Sequence, residues 1–575
     1  MRAPVKTNSS LALRPEDLHP WCMTKRFLNQ AVAIFALIIL AVILVAAPLA
    51  LAAQHPLDPR AVDQSASVIS VARLMGRISA LAHDSMLGRK PGHRGGTITT
   101  EYLSREMRRI GLEPARLGQY LQPVRLRTAS AKGSVRFTAR GQRIALIQDR
   151  QVIIGAIKPG PHRISRASLV LVGHGIVAPE FRWDDYKGAN LAGNIAVILD
   201  GEPASLTSRG FAPNASSTYH GMWFLRARHA IAHGAAGVII VRGGSDSVHA
   251  VRARRTQHSA TIGDAPSTIP EPPVTVVLSA SGADRLARSI GDSIAGWRQR
   301  AKDSAFTPSL LPVMLDADFV VNSIPFTSHN VIGIIPGSDP ALRSECVVYA
   351  AHWDAYGVGP PVNGDSIYNG ALDNAAGVST MLAIAEATRA LPRTPARTTV
   401  FLATTAEESG MLGADAYVAN PVCPMDKTVL AIGMDWTWTW GRTDTISSNG
   451  FGYSTVDSAA GLIARRMGKK FVPGWSDYWM ASDQSAFLTK GVPSWFGGLD
   501  GEVTGKPRGW ALEQLSSTQT HVPSDEILPT WDMSGAVEEA RFLYHLGVHA
   551  AEMHSPFRWT ADSEFYRAAR ASRPP

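Results

Sequence analysis

Three apolar runs in the second half of the chain each lead into a side chain able to bind a metal. CVVYAA runs into His352, VFLATTA into Glu407 and Glu408, and VLAIGM into Asp435. Between them, Gly377 to Arg389 repeats its apolar residues at helical spacing, with Val378, Met381, Leu382 and Ala385 on one face. Buried strands alternating with helices predict an α/β fold whose sheet is mixed but mostly parallel and flanked by helices. In open α/β sheets, ligands bind beyond the carboxyl ends of the strands, so these side chains are expected to converge on one edge. Asp373, in GALDNAAG just before the helix, adds another carboxylate. One imidazole and four carboxylates gathered there would repel one another unless cations neutralised them, and their nitrogen and oxygen donors suit divalent ions. A second imidazole would complete two sites. Of the 17 histidines, His521 in TQTHVPSDE is the best placed, beyond the last predicted strand.

Taken singly, each residue has a plainer reading. A histidine after a strand is more often a hydrogen-bonded structural group, Asp435 could form a strand-end turn, and paired glutamates could face solvent. Independent structural causes, however, have no reason to share one sheet edge. Asp354, two residues beyond His352, is suited to orient that imidazole. Trp436, Trp438 and Trp440 alternate with period two, which predicts a packed wall projecting opposite to Asp435.

The 575 residues call for more than one packed unit, and with 45% apolar and 18% charged residues the chain has material for a large core. A net charge of +9 spread over this length is no nucleic-acid signature. Cys22, Cys346 and Cys423 are the only cysteines and form no C-x-x-C pair, which argues against a thiolate zinc site and against a disulfide scaffold. Residues 31–47, AVAIFALIILAVILVAA, follow Lys25 and Arg26 and precede PLALAAQ, the layout of a secretory signal. Cleavage is expected near Ala52 or Ala53, with Met23 as the translation start. The protein is therefore read as exported, either periplasmic or secreted. A membrane tether through residues 31–53 is the alternative, since counting the run on to Ala53 makes a span feasible.

Behind residues 1–53, helical spacing marks residues 66–123, with Gly111 as a C-terminal stop. Residues 124–327 change to short β-type runs punctuated by Gly, Pro and Asp, within which 301–328 reads as a polar return linker. Residues 328–554 carry the strand and helix alternation, and 555–575 form a polar tail.

The segments AHWDAYG (351–357), NGALDNAAGV (369–378), TAEESGMLGADAYV (405–418), GMDW (433–436), SDQSAFLTKGVPS (482–494) and THVPSD (520–525) together resemble the co-catalytic zinc peptidases of the M28 type, which include secreted bacterial aminopeptidases. LAHDSMLGRKPGHRGG (81–96) resembles the amino-terminal segment of that family. GHGIVAPEFRWDDYKGANLAGNIAVILDGEP and TYHGMWFLRARHAIAHGAAGVIIV resemble the protease-associated domain that some members carry as an insertion. The resemblance implies two zinc ions bridged by Asp373, one held also by His352 and Asp435, the other by Glu408 and His521. It further implies a water bridged by the two ions, Glu407 as general base, a cis peptide at Asp373-Asn374, and Asp483 as a supporting neighbour. Tyr478, slightly off the family spacing to Ser482-Asp483, is the phenol expected to stabilise the oxyanion. Departures from the family pattern are Gly433 in place of Asn, Trp436 in place of Met, Gln484 in place of His and Thr520 in place of Tyr.

The implied activity is an aminopeptidase acting on peptides or oligopeptides. The alternatives are a carboxypeptidase or another amidohydrolase on the same fold, or a catalytically silent binding protein. Neither a G-x-S-x-G elbow nor an H-E-x-x-H motif is present.

Overall fold

A computed structural model describes residues 57–575 except 116–117, 156–157, 204–218, 244–245, 247–259, 264–273, 476–477, 519, 562, 564 and 567–575. The signal, its cleavage site and the Met23 start lie outside the described residues. Helices α1 (Pro59–Ala66), α2 (Val71–Leu81) and α3 (Arg94–Ile110) open the fold, and α3 stops where Gly111 turns left-handed at φ 85°. They lie against α-helix Gly377–Arg389, whose Glu386 pairs with Arg73 and Arg77 of α2 and Arg109 of α3.

The chain then enters a long strand, β1 (Leu121–Ala139), followed by β2 (Val152–Gly155), β3 (Gly160–Leu171), β4 (Ile195–Leu199), helix α4 (Trp223–Ala232), β5 (Gly237–Val241), β6 (Ala260–Gly263), β7 (Thr275–Leu278) and helix α5 (Ala280–Ser289). It returns along β8, Ser309–Ile335. The expected linker at 301–328 is thus mostly strand: β8 pairs antiparallel with β1 from Val313↔Ala139 to Val331↔Leu121. Polar residues there alternate with buried ones such as Val313, Leu315, Ala317 and Phe319, the period of a half-exposed strand, and long-range pairing with β1 turns that weak pattern into regular structure.

Beyond it come β9 (Cys346–His352), helix α6 (Gly377–Arg389), β10 (Thr398–Thr404), helix α7 (Leu412–Ala419), β11 (Thr428–Gly433), β12 (Ser494–Trp495) and helix α8 (Ser534–Glu552). Among the described residues, β1–β12 belong to one mixed sheet of order β12-β11-β9-β10-β8-β3-β4-β5-β7-β2, with β1 paired to β8 and β6. The stretch β12-β11-β9-β10 is parallel throughout, as are β3-β4-β5-β7. Every residue of β9 is buried, as expected of a central parallel strand covered on both faces.

Two principal cores flank this sheet. One packs α2, α3, α6 and α8 around Tyr349, Met381, Leu382, Phe401 and Leu543; the other gathers Leu169, Val197, Ile239, Val276, Leu286, Trp297 and Leu315 within the middle segment. The middle segment therefore has apolar burial of its own, while β8 runs unbroken from it into the second half. Cys346 and Cys423 form a disulfide with Cα atoms 6.4 Å apart. This corrects the reading that the chain lacked one: residues 77 apart in sequence meet only because β9 and the turn after α7 are neighbours in space.

Candidate metal centre

Parallel register brings the ligand-bearing strands level. His352 closes β9 opposite Thr404 of β10, and Ala350 faces Gly433 of β11. After β10 the chain turns at Ala406 (φ 55°) into a short 3-10 turn, Glu407–Ser409. After β11 it continues through Asp435 to Trp436, which is also left-handed at φ 59°. Asp373 sits in the turn Ala371–Ala376 that leads into α6, and the Asp373-Asn374 peptide is cis, as the resemblance implies. His521 lies in the loop after helix Trp510–Ser517, with φ 63°.

These five residues form two groups that share Asp373. His352 Nε2 lies 3.2 Å from Asp373 Oδ1 and 3.1 Å from Asp435 Oδ1. His521 Nε2 lies 2.9 Å from Asp373 Oδ2 and 3.1 Å from Glu408 Oε2. Each carboxylate oxygen of Asp373 thus faces a different imidazole. Donors arranged tetrahedrally around zinc at 2.0–2.1 Å stand about 3.3 Å apart, close to these spacings. Glu408 Oε1 is buried without a hydrogen-bond partner. An orphaned carboxylate oxygen is costly unless something positive meets it, so the residues present fit a pair of divalent cations.

Electrostatics point the same way. Burial would depress both histidines, yet Glu407, Asp435 and Asp373 hold His352 well above its ordinary value, and Glu408 and Asp373 raise His521 to about 10. Burial pushes Asp373 up, but hydrogen bonds from the two imidazoles hold it well below the carboxylate range. Glu407 is pushed well above its ordinary value by burial, reinforced by Asp435 and Glu408 against the pull of His352. Without cations the acids can coexist only beside protonated imidazoles; bound cations would supply that compensation directly and leave the imidazoles neutral.

Glu407 is buried, 3.7 Å from His352 Nε2, and stands beside both ligand groups without belonging to either. Its N–H donates to Asp354 Oδ1 at 3.1 Å. His352 Nδ1 lies closer to the Asp354 carbonyl oxygen (3.2 Å) than to its carboxylate (3.8 Å). With Nδ1–H on that carbonyl, Nε2 presents its lone pair to the cluster. Asp354 therefore orients the imidazole through its main chain and the Glu407 turn through its side chain. Asn374 ties two ligand loops together: its Nδ2 donates to the Met434 carbonyl, and its Oδ1 accepts from the N–H groups of Gly377 and Trp436. Asp483 is buried and accepts from Thr404 Oγ1 at the end of β10.

Tyr478 is 42% exposed, with Trp475 as its ring neighbour at 6.1 Å. The tyrosine that meets a presumed ligand is Tyr356, whose ring centroid lies 5.0 Å from that of His521. The tryptophans form the expected packed wall, but not by strand alternation. Residues 434–440 contain no strand, so Trp436, Trp438 and Trp440 do not alternate across a sheet; they pack edge to face near Val503, Ala511 and Trp510.

Sequence reasoning also passed over Asp525. Its two carboxylate oxygens accept from the N–H groups of Leu372 (2.9 Å) and Asp373 (3.1 Å), and its carbonyl accepts from Ala371. An acid four residues after His521 was the available signal, yet only the fold shows it gripping the Asp373 turn.

Residues 330–540 match peptidase family M28. No curated protein matches the chain significantly. Similar solved structures include an aminopeptidase from Aneurinibacillus sp. strain AM-1, at 17% identity and a TM-score of 0.49, covering 86% of this chain and 97% of that one. BSAP, a zinc aminopeptidase from Bacillus subtilis, shares 18% identity at a TM-score of 0.43, covering 84% and 96% respectively. A peptidase M28 precursor from Shewanella amazonensis SB2B shares 17% identity at a TM-score of 0.43, covering 87% and 98%. Identities this low say nothing about substrate. All five clustered side chains, from His352 to His521, lie inside the span that matches peptidase family M28.

Proposed function

We propose that this protein is an exported aminopeptidase that binds two zinc ions and hydrolyses oligopeptides, with Glu407 as general base. The observation that carries the reading is the split of Asp373 between two ligand groups, one oxygen toward His352 and Asp435, the other toward His521 and Glu408. When bound, the ions supply Lewis-acid polarisation of the scissile carbonyl and lower the pKa of a water between them. The side chains do the rest. Glu407, held at the cleft by its N–H bond to Asp354, takes a proton from the attacking water and passes it to the leaving amine. The buried guanidinium of Arg89 is committed to backbone carbonyls and is not offered to a substrate carboxylate, whereas a substrate amino terminus needs no such cation. That balance favours an aminopeptidase over a carboxypeptidase.

The middle segment, with its own core and its sequence resemblance to protease-associated domains, is read as an inserted domain of that kind. Export is supported by the disulfide, since such bonds persist in oxidising compartments. No helix among the described residues is long and apolar enough to cross a membrane; the tether read from the sequence, residues 31–53, lies outside the described residues.

The test is a panel of peptides blocked at either terminus, assayed with zinc and with chelator. Hydrolysis that requires a free amino terminus, stops on chelation and returns with zinc is expected. Cleavage of amino-blocked peptides would overturn the aminopeptidase assignment, and failure of every peptide would favour a silent binder.

A further inference from the structure

Between α2 and α3 the chain makes an unusual turn. Leu87, Gly88 and Arg89 are consecutive left-handed residues, at φ 51°, 61° and 51°. The turn is wedged beneath the loops of the metal cluster: a Cβ on Gly88 would lie 2.7 Å from the carbonyl oxygens of both Gly357 and Tyr368, and one on Gly95 would lie 2.3 Å from that of Met86. A non-glycine residue in this backbone region is costly and persists only where its surroundings enforce it.

Arg89 is what the turn delivers. Its side chain is wholly buried, and its donors are spent on carbonyls from separate parts of the fold. Nε donates to Trp353 at 2.8 Å, Nη1 to Leu81 at 2.9 Å and also to Asn369, and Nη2 to Gly370 at 2.9 Å. Trp353 directly follows His352, and Gly370 stands three residues before Asp373. The planar guanidinium fork spans the loop of one ligand and the turn of the bridging ligand, and anchors both to the end of α2. Burying a guanidinium on carbonyls is costly, and the carboxylates of Asp525, Asp354, Asp373 and Glu408 around it offset part of that cost.

We infer that Arg89 is a positioning residue of the metal centre: it sets the separation of the His352 and Asp373 loops, and through it the segment 81–96 is coupled to metal loading. The inference rests on the reading of the cluster as a metal site. Its consequence is a centre assembled from the amino-terminal segment as well as from the matched family region.

The test compares wild type with Arg89→Lys and Arg89→Met. Zinc binding is measured by competition with a chromophoric chelator, ligand geometry by the visible absorption of the cobalt-loaded proteins, and folding by circular dichroism. The folded variants are expected to bind zinc about 10- to 100-fold more weakly, the range seen when a ligand's supporting contact is removed, with an altered cobalt spectrum. Wild-type affinity and spectrum in a folded variant would overturn the inference while leaving the metal site intact. Wild type that binds neither metal would remove the metal reading itself. Should both variants fail to fold, hydrogen exchange on the wild-type chain decides: added zinc is expected to protect peptides from 81–96 together with those from 369–376. Protection confined to 369–376 would overturn the coupling.

Discussion

Removing the Cys346–Cys423 bond should cost stability without touching the chemistry. Both cysteines are buried among Val348, Val400, Leu402 and Tyr417, and the bond closes a loop of 77 residues in sequence separation. Chain-entropy arithmetic for such a loop gives about 15 cal/mol/K, or about 4.5 kcal/mol at 25 °C. For a folded region of roughly 500 residues, unfolding entropy near 1 kcal/mol/K turns that into a fall in Tm of about 4 °C. The bond sits at the start of β9 and His352, the proposed metal ligand, at its end, six residue steps or about 20 Å away along the strand. The assay is urea unfolding of C346A/C423A beside wild type, oxidised and reduced, with zinc content and peptide turnover measured on each. Reduced wild type should match the double variant, both less stable by about 4 kcal/mol, with zinc content and kcat/KM within twofold of the oxidised protein. A loss under about 1 kcal/mol would refute the loop-entropy reasoning, and zinc lost along with the bond would refute the claimed independence of the two ends of β9.

Replacing Glu407 with Gln preserves shape and the backbone bond to Asp354, so turnover should fall about 10²- to 10⁴-fold with both zinc ions retained; loss of zinc would make Glu407 a ligand instead. His521 belongs to only one of the two ligand groups, so elemental analysis of His521→Ala should show one ion where wild type holds two, and retention of both would remove it from the set. Because the Tyr356 ring stands against His521, Tyr356→Ala should weaken metal affinity about tenfold in a competition titration, and unchanged affinity would show that the ring does not support that imidazole. Glu386→Ala leaves Arg77, 6% exposed at its side chain, with only Glu106 as a partner, and urea unfolding should register a loss of about 3 kcal/mol.

Much of the centre is legible in one dimension because its ligands terminate apolar runs. A buried parallel strand needs a continuous apolar stretch and must end where the chain turns outward, so His352, Glu407, Glu408 and Asp435 mark strand ends without any coordinates. Asp373 announces itself just ahead of α6, whose apolar spacing is plain. The misreadings share the opposite character. Residues 301–328 look like a linker because a half-exposed strand carries polar residues on one face, and only its partner β1 makes it regular. Spacing likewise carries no information about which phenol the fold sets against His521, where Tyr356 stands. The tryptophans keep period two in sequence while left-handed Trp436 breaks the strand geometry that would have given the period meaning.

Local pattern thus marks most strands and helices and the side chains able to hold a metal, because burial periodicity and donor chemistry are properties of neighbouring residues. Contacts between distant segments lie beyond its reach: the Cys346–Cys423 bond, the Asp525 carboxylate on the Asp373 turn, and the Arg89 fork beneath two ligand loops. Each depends on how the sheet and its covering helices bring residues together across 77, 152 and 281 positions. Side-chain reach is a few ångströms, so those meetings are set by packing of the whole domain rather than by any stretch of sequence.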